Sequence, residues 1–180
     1  MEELYFHEDD YCQIEMVPIE NEHFVKNELD EIFNFSEKHK VADGIYSDMY
    51  VRNNPLKELK EYEIDFIKMD KQLSNIAIKY EKVTTGYSTY VEECKNTIGY
   101  KFNGIKIFIS KDNKNITNIW FDFYLNELSI AEDLYKLLKI ITNDYDLIFV
   151  HWSWDFYSHV RQDMELKNKL IEISKKLSEE

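Results

Sequence analysis

The sequence predicts an α+β fold: an antiparallel-dominated sheet made of an N-terminal hairpin, a central meander and one late buried strand, with helices packed against it. Three stretches carry this expectation. Asn103-Gly104 stands between two apolar-rich runs and is a favoured pair for a two-residue type I′ hairpin turn. Ile130, Leu134, Leu137, Leu138 and Ile141 keep helical spacing. Leu147-Ile148-Phe149-Val150 is a continuous apolar run, as in a strand covered on both faces. At 180 residues, 44% hydrophobic and 15% aromatic, the chain has apolar surface enough for one well-buried domain, taken as 1–180.

Residues 4–7 and 11–17 read as the strands of the N-terminal hairpin, the second alternating Cys12, Ile14 and Met16 against Tyr11, Gln13 and Glu15. Glu8-Asp9-Asp10 falls at its tip, where three adjacent carboxylates repel one another and should point into water. Pro18 ends the strand, and a helix over about 19–40 follows, with Glu20 and Glu22 in its first turn and Lys38, His39 and Lys40 in its last, as the macrodipole favours. Val25, Leu29, Ile32, Phe33 and Ser36 form its inner stripe, and Asp30 and Glu31 belong to an acidic outer face. Asp43-Gly44 marks a turn, 45–51 reads as a short extended piece with Tyr46, Asp48 and Tyr50 on one side, and Asn54-Pro55 fits a Pro-initiated helical turn.

Leu73, Ile76, Ala77 and Tyr80 fit a helix, whereas Ile76, Ile78 and Tyr80 fit a strand; we take the helix, followed by irregular chain through 84–88. Tyr87, Tyr90, Glu92 and Glu93 then belong to a binding loop or a simple connection. In the meander the turn pairs Phe102 with Ile105, Tyr100 with Ile107 and Ile98 with Ile109, placing six apolar side chains on one face. A second loop, 111–115, leads to Ile119, Phe121, Phe123 and Leu125, which alternate with Trp120, Asp122 and Tyr124. Ser129 to Glu132 reads as a capping box before the next helix. A last helix over about 156–177 directs Val160, Met164, Leu170, Ile171 and Leu177 inward.

Charge narrows the partners. The net charge is −13, and residues 1–50 hold 14 Asp and Glu against 3 Lys and Arg, a net of −11, leaving −2 for the remainder. That asymmetry speaks against nucleic acid and anionic membranes and suits a basic protein partner. For any single carboxylate a solvated, solubilising surface is an equally ordinary use. Met1-Glu2-Glu3 is acidic where a secretory signal is basic, and no apolar run reaches the length of a membrane span, so a cytoplasmic location is expected. Cys12 and Cys94 are expected as unpaired thiols.

The chemistry-bearing stretch is the His-aromatic segment 151–159. His151, Asp155 and His159 near a strand end could serve a small hydrolase as acid, base or metal ligands, although an eight-residue separation unites the two His only on a continuous helix. Packing of Trp152, Trp154, Phe156 and Tyr157 is the competing use. Asp122 and Glu127 form a second conceivable carboxylate pair. No P-loop, dinucleotide-binding glycine motif, H-E-x-x-H, C-x-x-C or G-x-S-x-G is present, and no cofactor or metal is expected.

Phe6-His7-Glu8-Asp9-Asp10-Tyr11-Cys12-Gln13-Ile14-Glu15 resembles the opening of the small acidic immunity proteins of bacterial polymorphic and contact-dependent toxin systems. The resemblance implies a fold that binds a cognate toxin, often covering a basic nuclease site with acidic residues. Charge and position then make Glu8, Asp9, Asp10, Asp30, Glu31, Tyr46, Asp48 and Tyr50 the expected contacts. An acidic scaffold subunit and the hydrolase stay open as alternatives.

Overall fold

The Asn103-Gly104 turn lays down the centre of the molecule. In the computed structural model, which describes residues 2–87, 89–125, 127–161 and 163–178 (side chains except at 163, 164 and 178), both turn residues are left-handed, at φ 46° and 88°. The strands are β1 (Glu3–His7), β2 (Ile14–Pro18), β3 (Lys40–Ala42), β4 (Ile45–Tyr46), β5 (Ile78–Tyr80), β6 (Lys82–Tyr87), β7 (Tyr90–Glu93), β8 (Thr97–Phe102), β9 (Ile105–Asp112), β10 (Asn115–Asp122), β11 (Leu147–His151) and β12 (Phe156–His159). The helices are α1 (Glu22–His39), α2 (Phe66–Ser74), α3 (Leu128–Ile141) and α4 (Asp163–Ser178). The fold is α+β, as expected.

Seven strands form an antiparallel sheet in the order β12-β11-β2-β10-β9-β8-β5. Its meander has the predicted register, Phe102 with Ile105, Tyr100 with Ile107 and Ile98 with Ile109. Strand β11 is buried at all five residues, as its unbroken apolar run requires. Because directly opposed residues share a face, Gly99, Phe108, Trp120, Glu15, Val150 and Tyr157 make one row across the sheet, and their neighbours point the other way.

On that other face Tyr100, Ile107, Phe121, Met16 and Phe149 meet α2, α3 and α4 through Leu73, Leu134, Leu137, Leu138, Leu166 and Leu170. The first face has two separate covers. A small sheet in the order β1-β6-β7 lays Leu4, Phe6 and Val83 on Phe108 and Trp120, while α1 lays Val25 and Leu29 on Val17, Ile148 and Val150. Gly99 permits the first contact, since a Cβ there would lie 2.7 Å from the side chain of Leu4. No helix among the described residues is long and apolar enough to cross a membrane.

Several expectations are corrected. The N-terminal hairpin does not form: β1 runs parallel to β6 in the small sheet, while β2 lies between β11 and β10 in the large one. Glu8–Asp10 is therefore a 3-10 turn carrying the chain from one sheet to the other. The helix taken for 73–80 ends at Ser74 and gives way to β5, and 82–87 and 90–93 are strands rather than irregular chain; Ser88 lies outside the described residues. Only Ile45–Tyr46 of 45–51 is strand, and the helical turn foreseen at Asn54-Pro55 sits at Leu59–Tyr62.

Helix α3 is N-capped at Glu127 rather than opened by a Ser129 capping box; Ser129 Oγ donates instead to Glu127 at 3.2 Å. Residues 156–159 form an edge strand, so the last helix begins at Asp163. Val160 and Leu170 are buried as expected, Leu177 is exposed, and the side chain of Met164 lies outside those described.

Candidate functional site

The acidic turn is held by tyrosines that arrive from far along the chain. Tyr87 Oη donates to Asp9 at 2.6 Å and Tyr90 Oη donates to Glu8, so the β6–β7 hairpin orders two of the three carboxylates. These bonds push both phenols up to about 12. Asp10 differs: partial burial, and then the charge of Asp122, raise its pKa, while His7 and Lys106 oppose the shift. The turn is exposed, as foreseen, but it is an ordered surface. Gly86 makes the hairpin possible, at φ 145° and with a Cβ position that would collide with the Tyr90 carbonyl oxygen. Gly86→Ala is expected to cost about 2 kcal/mol in urea unfolding. It should also release Tyr87 and Tyr90 from Asp9 and Glu8, seen as a fall of both phenol pKa values toward 10 in ultraviolet titration.

Helix α1 supplies the second acidic patch. Asp30 and Glu31 are exposed on it, but the residue that organises its surroundings is Glu28, only 3% exposed. The 47–58 strap has no regular structure except for its paired hydrogen bonds, and it runs back along α1 from the helix C-terminus to its N-terminus. Ser47 N donates to His39 O at 2.8 Å; Tyr50 Oη donates to Glu31 at 2.9 Å and Glu28 at 3.1 Å. Asn53 N donates to Glu28 at 2.7 Å, and Lys57 N to Asn21 Oδ1 at 3.0 Å. Tyr50 thus points in, with its pKa raised by desolvation and by both glutamates, and packs edge-on against Phe35. Tyr46 and Asp48 stay exposed, Asp48 accepting from its neighbour Met49 N.

Between the two covers lies a cleft of about 430 Å³ over the middle of β2. Glu15 forms its floor. Arg52 reaches down from the strap, Nη1 donating to Glu15 at 2.8 Å and Nη2 to Cys12 O at 3.0 Å, while its guanidinium lies 4.5 Å over the Trp152 ring. Trp152 Nε1 donates to the same Glu15 oxygen at 2.8 Å. Cys12 also lines the cleft, and burial, and then the Glu15 charge, push its thiol well up, which favours the protonated form.

The predicted contact residues therefore occupy two patches, Glu8, Asp9 and Asp10 on one cover and Asp30, Glu31, Tyr46, Asp48 and Tyr50 on the other, both on the sheet face opposite α2, α3 and α4. Sequence reasoning missed Glu28, Arg52 and Glu15. Glu28 sits three residues from Val25 and one from Leu29 in the inner stripe, a carboxylate among core positions, and that was the available signal.

The hydrolase grouping does not assemble. Strand pairing puts His151 opposite Phe156 and His159 opposite Ile148, so the two imidazoles lie on opposite faces of the sheet. His159 meets Glu22 of α1 at 2.8 Å, His151 stacks on Trp154, and Asp155 is an exposed left-handed turn residue. Asp122 pairs with Lys106 at 2.6 Å and not with Glu127. Among the described residues no group of three or more His, Cys, Asp or Glu is placed to hold a metal. Comparison with known proteins returns no match to a family model, a curated protein or a solved structure.

Proposed function

We propose that this chain is an immunity-type inhibitor that binds a basic bacterial toxin domain through the acidic face of its first fifty residues. The observation that carries the proposal is that residues 1–50, with a net −11, run through both covers of one sheet face and the Glu15 floor between them, while the helices on the opposite face come from the charge-balanced remainder. Charge spread for solubility alone has no reason to be one-sided. A fixed acidic face steers a basic partner into register and speeds encounter, over a range of about 8 Å at physiological salt.

The test uses the purified product of the gene adjacent to this one and the variant Glu8→Gln/Asp9→Asn/Asp10→Asn. At low salt its association rate should fall about three- to tenfold, with the difference closing as ionic strength rises and dissociation changing less. An unchanged rate with an unchanged salt slope removes the acidic turn from the contact. Docking of the partner on α4 instead removes the reading as a whole.

A further inference from the structure

Acids steer, but exposed ion pairs add little affinity, about 0.2 to 1 kcal/mol each, so a tight complex on this face needs apolar area that is desolvated on contact. The strap supplies it in a regular way. Tyr50 and Arg52 turn inward to Glu28, Glu31 and Glu15, and the intervening Met49 and Val51 turn outward, each 80% exposed, followed by Leu56 at 87%. Strands β3 and β4 continue the same edge past the end of α1 with Val41 and Ile45, and all five residues of that ribbon are exposed. Isolated exposed apolar residues are ordinary; five large ones along one strap and its adjoining ribbon are not. The strap is also held in place before any partner arrives, because its inward residues are bonded to α1 and β2, which lowers the entropy lost on binding.

We infer that the ridge of Val41, Ile45, Met49, Val51 and Leu56 is the desolvated centre of the contact, and that its occupant is a protein offering an apolar groove bordered by Lys and Arg. The inference rests on the proposed function and adds the partner's surface chemistry. Charge complementarity selects this occupant. Glu31 and Asp48 flank the ridge and are exposed, while Asp43 is paired with Lys40 at 2.9 Å, so a second copy of the chain would bring like charges together and an anionic lipid surface would be repelled.

A photo-crosslinking residue at Met49 in the full chain, expressed in its native host, identifies what lies on the ridge, and the crosslinked protein is then purified for binding. Met49→Ser/Val51→Ser/Leu56→Ser keeps the charge and touches only exposed side chains, so its urea midpoint should match wild type. Its Kd for that protein should rise about tenfold or more, mainly through faster dissociation. A Kd within twofold of wild type overturns the ridge; if the Glu8/Asp9/Asp10 variant still slows association, the proposed function stands without it. If neither variant differs from wild type, the proposed function falls as well. Crosslinking only to a second copy, or no adduct at Met49, overturns the occupant named here.

Discussion

Lowering the pH from 6.5 to 4 is expected to cost the folded protein about 3 kcal/mol through His151 alone. Its side chain is buried beside the strand partners Ile14 and Phe156, stacks face to face on Trp154 at 3.8 Å, and has no hydrogen-bond partner at Nδ1 among the described residues. Burial, opposed only by a backbone hydrogen bond, lowers its pKa from 6.5 to about 4. The direction of the effect follows. Between those two values the unfolded chain carries a proton on His151 and the folded chain does not, so stability is complete above 6.5, falls as pH drops toward 4, and stays level below that with respect to this group.

His151→Phe keeps an aromatic ring against Trp154 and cannot titrate. Urea unfolding midpoints of the two proteins from pH 4 to 8 should therefore diverge on acidification, with the variant the more stable at pH 5. Carboxylates such as Glu20, held down to about 2 by its bonds to Lys57 and Tyr62, titrate in both proteins and cancel in the difference. Parallel midpoints across the range would mean that His151 is hydrated. The expected effect is on folding, and partner binding by either folded protein at pH 7 should be unchanged.

What could be read beforehand follows a physical division between local and distant determinants. The Asn103-Gly104 turn and the alternation beside it are local, and the register came out as read. The spacing of α3 and the apolar run of β11 are likewise local. Strand β1 also had a visible pattern, but its partner β6 lies some eighty residues away and pairs in parallel, which no turn residue announces. Residues 156–159 carried aromatic side chains compatible with either period, and pairing with β11 decided for strand. At the site, charge sign and position were legible and bonding partners were not: Glu8 and Asp9 looked free because Tyr90 and Tyr87 are distant in sequence.

The same distance hid the two clamps on the strap, and their removal should have the other large effect. Glu28→Leu takes away the carboxylate that accepts from Asn53 N and Asn53 Nδ2, leaving two donors to find water at the edge of a buried site, while Tyr50 Oη keeps Glu31 as its acceptor. Arg52→Met leaves Glu15, with its side chain only 16% exposed, on the sheet floor with Trp152 Nε1 as its remaining donor. Each single change is expected to cost about 2 to 3 kcal/mol, since an uncompensated carboxylate or set of donors is costlier than the intact pair is stabilising. The double variant should cost less than the sum. Asn53 and Arg52 are adjacent, so once either clamp opens, the strap can leave the surface and the second clamp has little left to lose. Urea unfolding followed by the fluorescence of Trp152, which lies under the Arg52 guanidinium, measures all three variants. Strict additivity would show that the strap is anchored elsewhere. Loss of the strap also loosens Met49, Val51 and Leu56, so if they form the proposed contact, the single variants, still folded at pH 7, should bind its partner more weakly.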